Sequence, residues 1–206
     1  MSAAKPASRI PYDAVFGAVY AGLKINLCLL LAASPLLVAL ALTPEPLAAW
    51  PFFAMLAALC GPASAGAFAA FDGRGFWHGY RSGFVRSLST AAAAAATVVV
   101  LGVDLQQAVG TRFAAATPLL AVVLVLVVTV TTALLAAGWR LSRRTVLAAA
   151  YLSIRKWYLA LANTAVLGVL LAAIVAKPAV GLFVLPAPAL YVVWANARHM
   201  LSPSHL

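Results

Sequence analysis

The sequence predicts an all-α fold, a polytopic transmembrane helical bundle of about six spans with two basic amphipathic cytoplasmic connectors. Three observations lead there. The 206 residues are 65% hydrophobic and only 9% charged, with a mean hydropathy of +1.03, well outside the range of soluble domains. Uncharged apolar runs of about 20 residues recur along the chain, the clearest at 117–138. Finally, the net charge of +10 comes from Lys and Arg residues grouped between those runs. No continuous basic face or recognition motif accompanies it, so the excess reads as a signal facing anionic lipid rather than nucleic acid.

The whole chain, 1–206, reads as one integral membrane domain, with spans at about 25–42, 47–71, 87–103, 117–138, 157–176 and 178–197. Residues 1–10 are polar and basic and lack a short apolar core with a cleavage site, so no removable signal peptide is expected. Pro11 opens a helix that approaches from the surface, with Tyr12, Phe16, Val19 and Leu23 at helical spacing. Lys24 and Asn26 interrupt that run before the first span, and Pro35 should kink the span near its middle. In the second span, Gly61, Pro62 and Gly66 lie among alanine and serine, small residues that let another helix approach closely. The third span is short and the least secure. Pro186 and Pro188 should break the sixth near its midpoint, since each removes a backbone donor and crowds the preceding turn.

Two connectors carry the basic residues. In the first, Phe76, Tyr80, Phe84 and Leu88 recur every four residues, Trp77 sits beside them, Arg74 and Arg81 lie beyond the edge of that face, and Arg86 lies opposite it. This is the pattern of an interfacial helix, or of a basic loop with aromatic anchors, in contact with lipid or a partner. Glycines at 73, 75, 79 and 83 weaken helix formation there. The second connector repeats the chemistry: Leu147, Tyr151, Ile154 and Tyr158 are helically spaced, and Arg140, Arg143, Arg144, Arg155 and Lys156 gather at its two ends. An apolar pair, a basic aromatic connector and a second such set hint at an internal repeat.

Placing the N-terminus inside puts 12 of the 14 Lys and Arg residues on the cytoplasmic side, namely Lys5, Arg9, Lys24, Arg74, Arg81, Arg86, Arg140, Arg143, Arg144, Arg155, Lys156 and Arg198. Only Arg112 and Lys177 remain outside, which orients both termini toward the cytoplasm. Trp50, Trp77, Trp139, Trp157 and Trp194 fall near span ends, as an aromatic belt requires.

Catalytic chemistry finds little support. The four acids, Asp13, Glu45, Asp72 and Asp104, avoid the span cores, and neither a paired-carboxylate spacing, a metal-ligand cluster nor a phosphate loop appears. Cys28 and Cys60 lie in apolar runs and read as inert thiols. His78 reads as a headgroup-level histidine beside Trp77 rather than a group titrating against Asp72; His199 and His205 belong to a polar tail. Asn26, Asn163 and Asn196 are span or boundary amides, suited more to interhelical hydrogen bonding than to solute contact. No cofactor is expected, and no enzyme.

The residues also carry a resemblance. The helix approaching from the surface, then Asn26 and Leu27 with Pro35 further on, then GPASAGAF at 61–68 and FWHGYRSGF at 76–84 look like the successive landmarks of the YesL-like family of small bacterial integral membrane proteins, a family of unassigned biochemical function. The second basic connector is similar to that family's later one. The chain departs from the family at Leu29, where a tryptophan is frequent, and after Pro35, where a threonine tends to follow. The resemblance implies a bacterial cytoplasmic membrane and association with oligosaccharide uptake. It leads to an expected role as a noncatalytic accessory subunit of a carbohydrate ABC importer, with permease subunits as partners. The alternative is a self-standing channel or facilitator for a small solute. AAFDG at 69–73 resembles the coupling loop of ABC permeases only faintly, because its spacing differs.

Overall fold

The computed structural model describes residues 12–46, 48–108, 111, 113–138 and 142–201. The expectations attached to residues 1–11, Arg112, Trp139, Arg140 and His205 lie outside these. Within them the secondary structure is helical, with no strand.

The helix α1, Tyr12–Ala32, fuses what the sequence divided into a surface helix and the start of a span. Ala33 separates it from α2, Ser34–Leu42, and the two axes differ by 60°. The cause is Pro35 in the first turn of α2: it has no amide hydrogen for the carbonyl four residues back, so the chain turns before the proline. The second span is α3, Trp50–Leu56, and α4, Cys60–Phe71, joined through a 3₁₀ turn at Ala57–Leu59 into one stretch. Tightening to 3₁₀ just ahead of Pro62 relieves the donor that proline removes.

The chain then breaks at Gly73 and Gly75, both at positive φ (79° and 84°), which only glycine adopts without strain. The short helix α5, Phe76–Ser82, ends at Gly83, and α6, Phe84–Ala108, follows. Here the structure revises the sequence boundaries: the four-residue aromatic spacing crosses a break, so Phe84 and Leu88 belong to the spanning helix. The third span, expected to be short, has 25 residues. Helix α7, Thr117–Ala137, ends on Gly138 in the left-handed conformation (φ 64°), whose N–H returns to the carbonyls of Leu134 and Leu135.

Helix α8, Arg143–Arg155, starts with a capping box: the Thr145 N–H donates to Ser142 Oγ, and the Ser142 N–H donates to Thr145 Oγ1. Helix α9, Trp157–Ala176, continues into α10, Pro178–Phe183, and α11, Pro186–Leu201. Among the described residues, four stretches are long and apolar enough to cross a membrane: Trp50–Phe71, Phe84–Ala108, Ala114–Ala137 and Trp157–Ile174. The bent α1–α2 pair makes a fifth if it counts as one span. The expected sixth span is divided between α10 and α11, with its break just before Pro186.

Helix α11 lies in the middle of the bundle, against α1, α4, α7 and α9, and its Val193 and Ala197 are fully enclosed. One cluster of buried side chains joins Cys28 and Leu29 to Ala63, Ala67 and Phe76; another joins Val130, Ala133 and Leu134 of α7 to Ala149 of α8. The approach of α4 to α6 depends on Gly61, where a Cβ would stand 2.5 Å from the Ala91 Cβ and 2.8 Å from the Ser87 carbonyl oxygen. At Gly66 a Cβ would meet the Phe76 ring at 3.2 Å, and at Gly79 it would collide with Ala69. Without a hydrophobic drive between helices in lipid, such backbone proximity is what holds them together.

Candidate functional site

Two features stand out, a bridged helix break inside the bundle and a basic end. The break lies between α10 and α11, and Asn26 of α1 spans it. Asn26 is 3% exposed. Its Nδ2 donates to the carbonyls of Phe183 at 2.8 Å and Val184 at 3.0 Å, while its Oδ1 accepts from the Ala187 N–H at 2.7 Å. One side chain thus serves the carbonyls where one helix ends and an amide where the next begins. Only one orientation of the amide does this, since the two carbonyls need the NH₂ and the N–H needs the oxygen.

The two prolines complete the arrangement. Four N–H groups at the start of a helix ordinarily lack partners. In α11, Pro186 and Pro188 have none to satisfy, Ala187 donates to Asn26, and Ala189 donates to the Leu185 carbonyl at 3.0 Å. The break therefore leaves no amide of that turn without a partner, and a buried unpaired amide would cost about 1–3 kcal/mol.

The remaining amides pair with each other. Asn196 of α11 donates through Nδ2 to Asn163 Oδ1 of α9 at 2.8 Å, with Asn163 buried. Ser64, Thr90, Thr129, Thr131, Thr132 and Thr164 each return their hydroxyl to a carbonyl of their own helix. Ser153 Oγ and Trp194 Nε1 are buried with no hydrogen-bond partner.

At the basic end, Asp72 closes α4 and accepts from Arg74 at 2.7 Å and from Arg198 of α11. Arg198 also lies over the Trp194 ring, 5.3 Å from its centre. Lys156 extends its Nζ to the carbonyls of His199 at 2.8 Å and Met200 at 3.4 Å, so a cation caps the negative end of α11. Of the residues taken from the sequence as surface contacts, Arg74 pairs with Asp72 while staying largely exposed, and Lys156 reaches α11. Phe76 is placed inward. It is 7% exposed and packs into the core with Cys28 and Ala63, because α5 folds back against α4 instead of lying flat on the surface. Tyr80 and Phe84 are half-buried and continue the aromatic contact from Phe76, with ring centres 6.2 Å and 5.4 Å apart in turn.

Trp77 stays exposed and, with His78, Arg81 and Ser82, borders a surface depression. Arg81, Arg86, Arg143, Arg144 and Arg155 are exposed and have no ion pair among the described residues. The outward face of α8, with Leu147, Tyr151 and Ile154, is likewise exposed, and Trp157 and Tyr158 extend it. Among the described residues no group of three His, Cys, Asp or Glu is placed to hold a metal ion.

Several helices long and apolar enough to cross a bilayer, with a basic aromatic end, define the class as a multi-pass helical membrane protein. No family model, curated protein or solved structure matches the chain.

Sequence reasoning missed the Asp72–Arg198 pair and the Lys156 cap. Their partners lie 126 and 43 residues away, and no local pattern marks them. The Ser142–Thr145 box had a signal, a serine followed three residues on by a side chain able to return the bond.

Proposed function

We propose that this protein is a noncatalytic subunit of the bacterial cytoplasmic membrane, with six spans and both termini inside, that serves a carbohydrate ABC importer as an accessory. One observation carries the noncatalytic docking role. Asn26 is taken up by backbone and Asn196 donates to Asn163, whereas five arginines are exposed and have no ion pair among the described residues. Such a molecule offers its polar chemistry at the surface, to lipid headgroups or a partner, more than to a solute in its interior. Support for the orientation comes from the same end, which holds Arg74, Arg81, Arg86, Arg143, Arg144, Arg155, Lys156 and Arg198, while Lys177 lies between α9 and α10 at the other. A sixth span is supported by α10 and α11 together returning along α9. Oligosaccharide as the substrate class rests on the resemblance to YesL-like proteins alone.

A second reading, a self-standing facilitator for a small solute, is favoured by the broken helix, since interrupted helices often build transporter sites. Asn26 weighs against it by already occupying the backbone groups that a polar solute would use. The test is a pair of measurements: crosslinking with mass spectrometry in the native membrane, and solute flux in liposomes holding this protein alone. Recovery of permease subunits with silent liposomes is the expected result. Saturable sugar flux without a permease would replace the accessory role by the facilitator.

A further inference from the structure

A groove of about 330 Å³ runs between α3–α4, α6 and α7, lined by residues that include Ala58, Gly61, Ala91, Ala95, Val128 and Thr132. All three walls belong to stretches long and apolar enough to span a membrane. The hydroxyls along it spend their protons on their own helices: Ser64 donates to the Cys60 carbonyl at 2.9 Å, Thr131 to Val127 at 2.7 Å and Thr132 to Thr129 at 2.9 Å. What remains is a hydrocarbon-lined slot.

Arg86 lies outside the lining of this slot, on the exposed side of α6 toward the basic end. It precedes Ala91 on α6 by five residues, a rise of roughly 7.5 Å, and its guanidinium crosses to the end of α7. There it lies 3.5 Å from where a Gly138 Cβ would be and 3.2 Å from where a Gly83 Cβ would be, which places it between the start of α6 and the end of α7. Gly138 follows the groove residue Leu135 by less than one turn. Arg86 is exposed and has no ion pair among the described residues, and Asp72 is taken by Arg74 and Arg198.

A cation with no ion pair among the described residues, within a turn of the groove residue Leu135, matches one ligand chemistry, a single negative headgroup carrying a hydrocarbon chain. We propose that this groove binds an anionic phospholipid, one acyl chain lying along α4, α6 and α7 and the phosphate on Arg86. This site goes beyond the accessory role and draws on one of the five arginines that support it.

The test uses the full-length protein in a neutral detergent, with phosphatidylglycerol and phosphatidylcholine as probes and binding read by native mass spectrometry. Wild type is expected to prefer phosphatidylglycerol about fivefold, a preference that declines with added salt. Arg86→Gln should abolish the preference while leaving weak binding of both lipids. Ala95→Leu, which fills the slot, should weaken both lipids and leave the preference of any residual binding intact. Equal affinities in wild type, a preference retained by Arg86→Gln, or unchanged binding in Ala95→Leu would each overturn the proposal. So would a loss of self-association in Ala95→Leu, because the slot would then belong to a second copy of the chain.

Discussion

Asn26 is the residue on which the interior depends most. Its three hydrogen bonds hold α1 to both sides of the α10–α11 break. Intramembrane bonds average about 0.6 kcal/mol, and leaving buried partners unsatisfied adds to the loss, so Asn26→Leu is expected to lower stability by about 2 kcal/mol. Asn163→Leu removes one bond to Asn196 and should cost about 1 kcal/mol. Equilibrium unfolding in mixed micelles measures both; equal losses for the two variants would mean that the break is held by packing rather than by the amide.

Among elements, the spacing of α4 from α6 is set by a missing side chain. Gly61→Ala must push Ala91 and the Ser87 backbone aside, and overpacking of this kind costs about 1–3 kcal/mol. Gly168 on α9 has nothing within 4 Å of its Cβ direction, so Gly168→Ala should be neutral or stabilise by up to about 1 kcal/mol through helix propensity. Thermal unfolding of the two variants in detergent separates a packing constraint from a general intolerance of larger residues. The same scale holds the short α10, where a Cβ on Gly181 would come within 2.5 Å of the Ile174 Cα. Gly181→Ala is expected to loosen α10 from α9, read as faster amide exchange at 178–183 with α11 still protected.

For the whole molecule, the proposed orientation in the bilayer rests on the excess of Lys and Arg at one end. Single cysteines placed at Glu45, Gln107 and Lys177 in a Cys28→Ser, Cys60→Ser background should all react with an impermeant reagent from outside intact cells. The same labelling at Arg81 and Arg143 should require permeabilisation. Protection of all three outer positions would invert the orientation. Asp72 contributes at this scale too, since its carboxylate joins the ends of α4 and α11 through Arg198. The loss in Asp72→Asn is expected to be about 1 kcal/mol, reduced as salt is added because Arg198 is exposed.

Composition and periodicity by themselves determined that the chain is helical and apolar, where most helices run, and that Pro35 and the Pro186–Pro188 pair interrupt them. Those properties are local: hydropathy over about 20 residues and the missing amide of a proline do not depend on distant partners. Tertiary structure decided the rest. The four-residue spacing of Phe76, Tyr80, Phe84 and Leu88 is real in the sequence, yet Gly83 divides it and Phe76 turns into the core, because α5 can pack on α4 through Gly66 and Gly79. Lys156 and Arg74 carry the same charge as Arg81 and Arg86, and only the neighbouring carbonyls of α11 and the carboxylate of Asp72 distinguish committed cations from free ones. Asn26 was legible as an amide needing a partner, but the partner is a gap between two helices more than 150 residues away, created when the chain returns beside α1. A hydrogen bond of that separation leaves no trace in spacing or composition, since both residues satisfy their local rules with or without it.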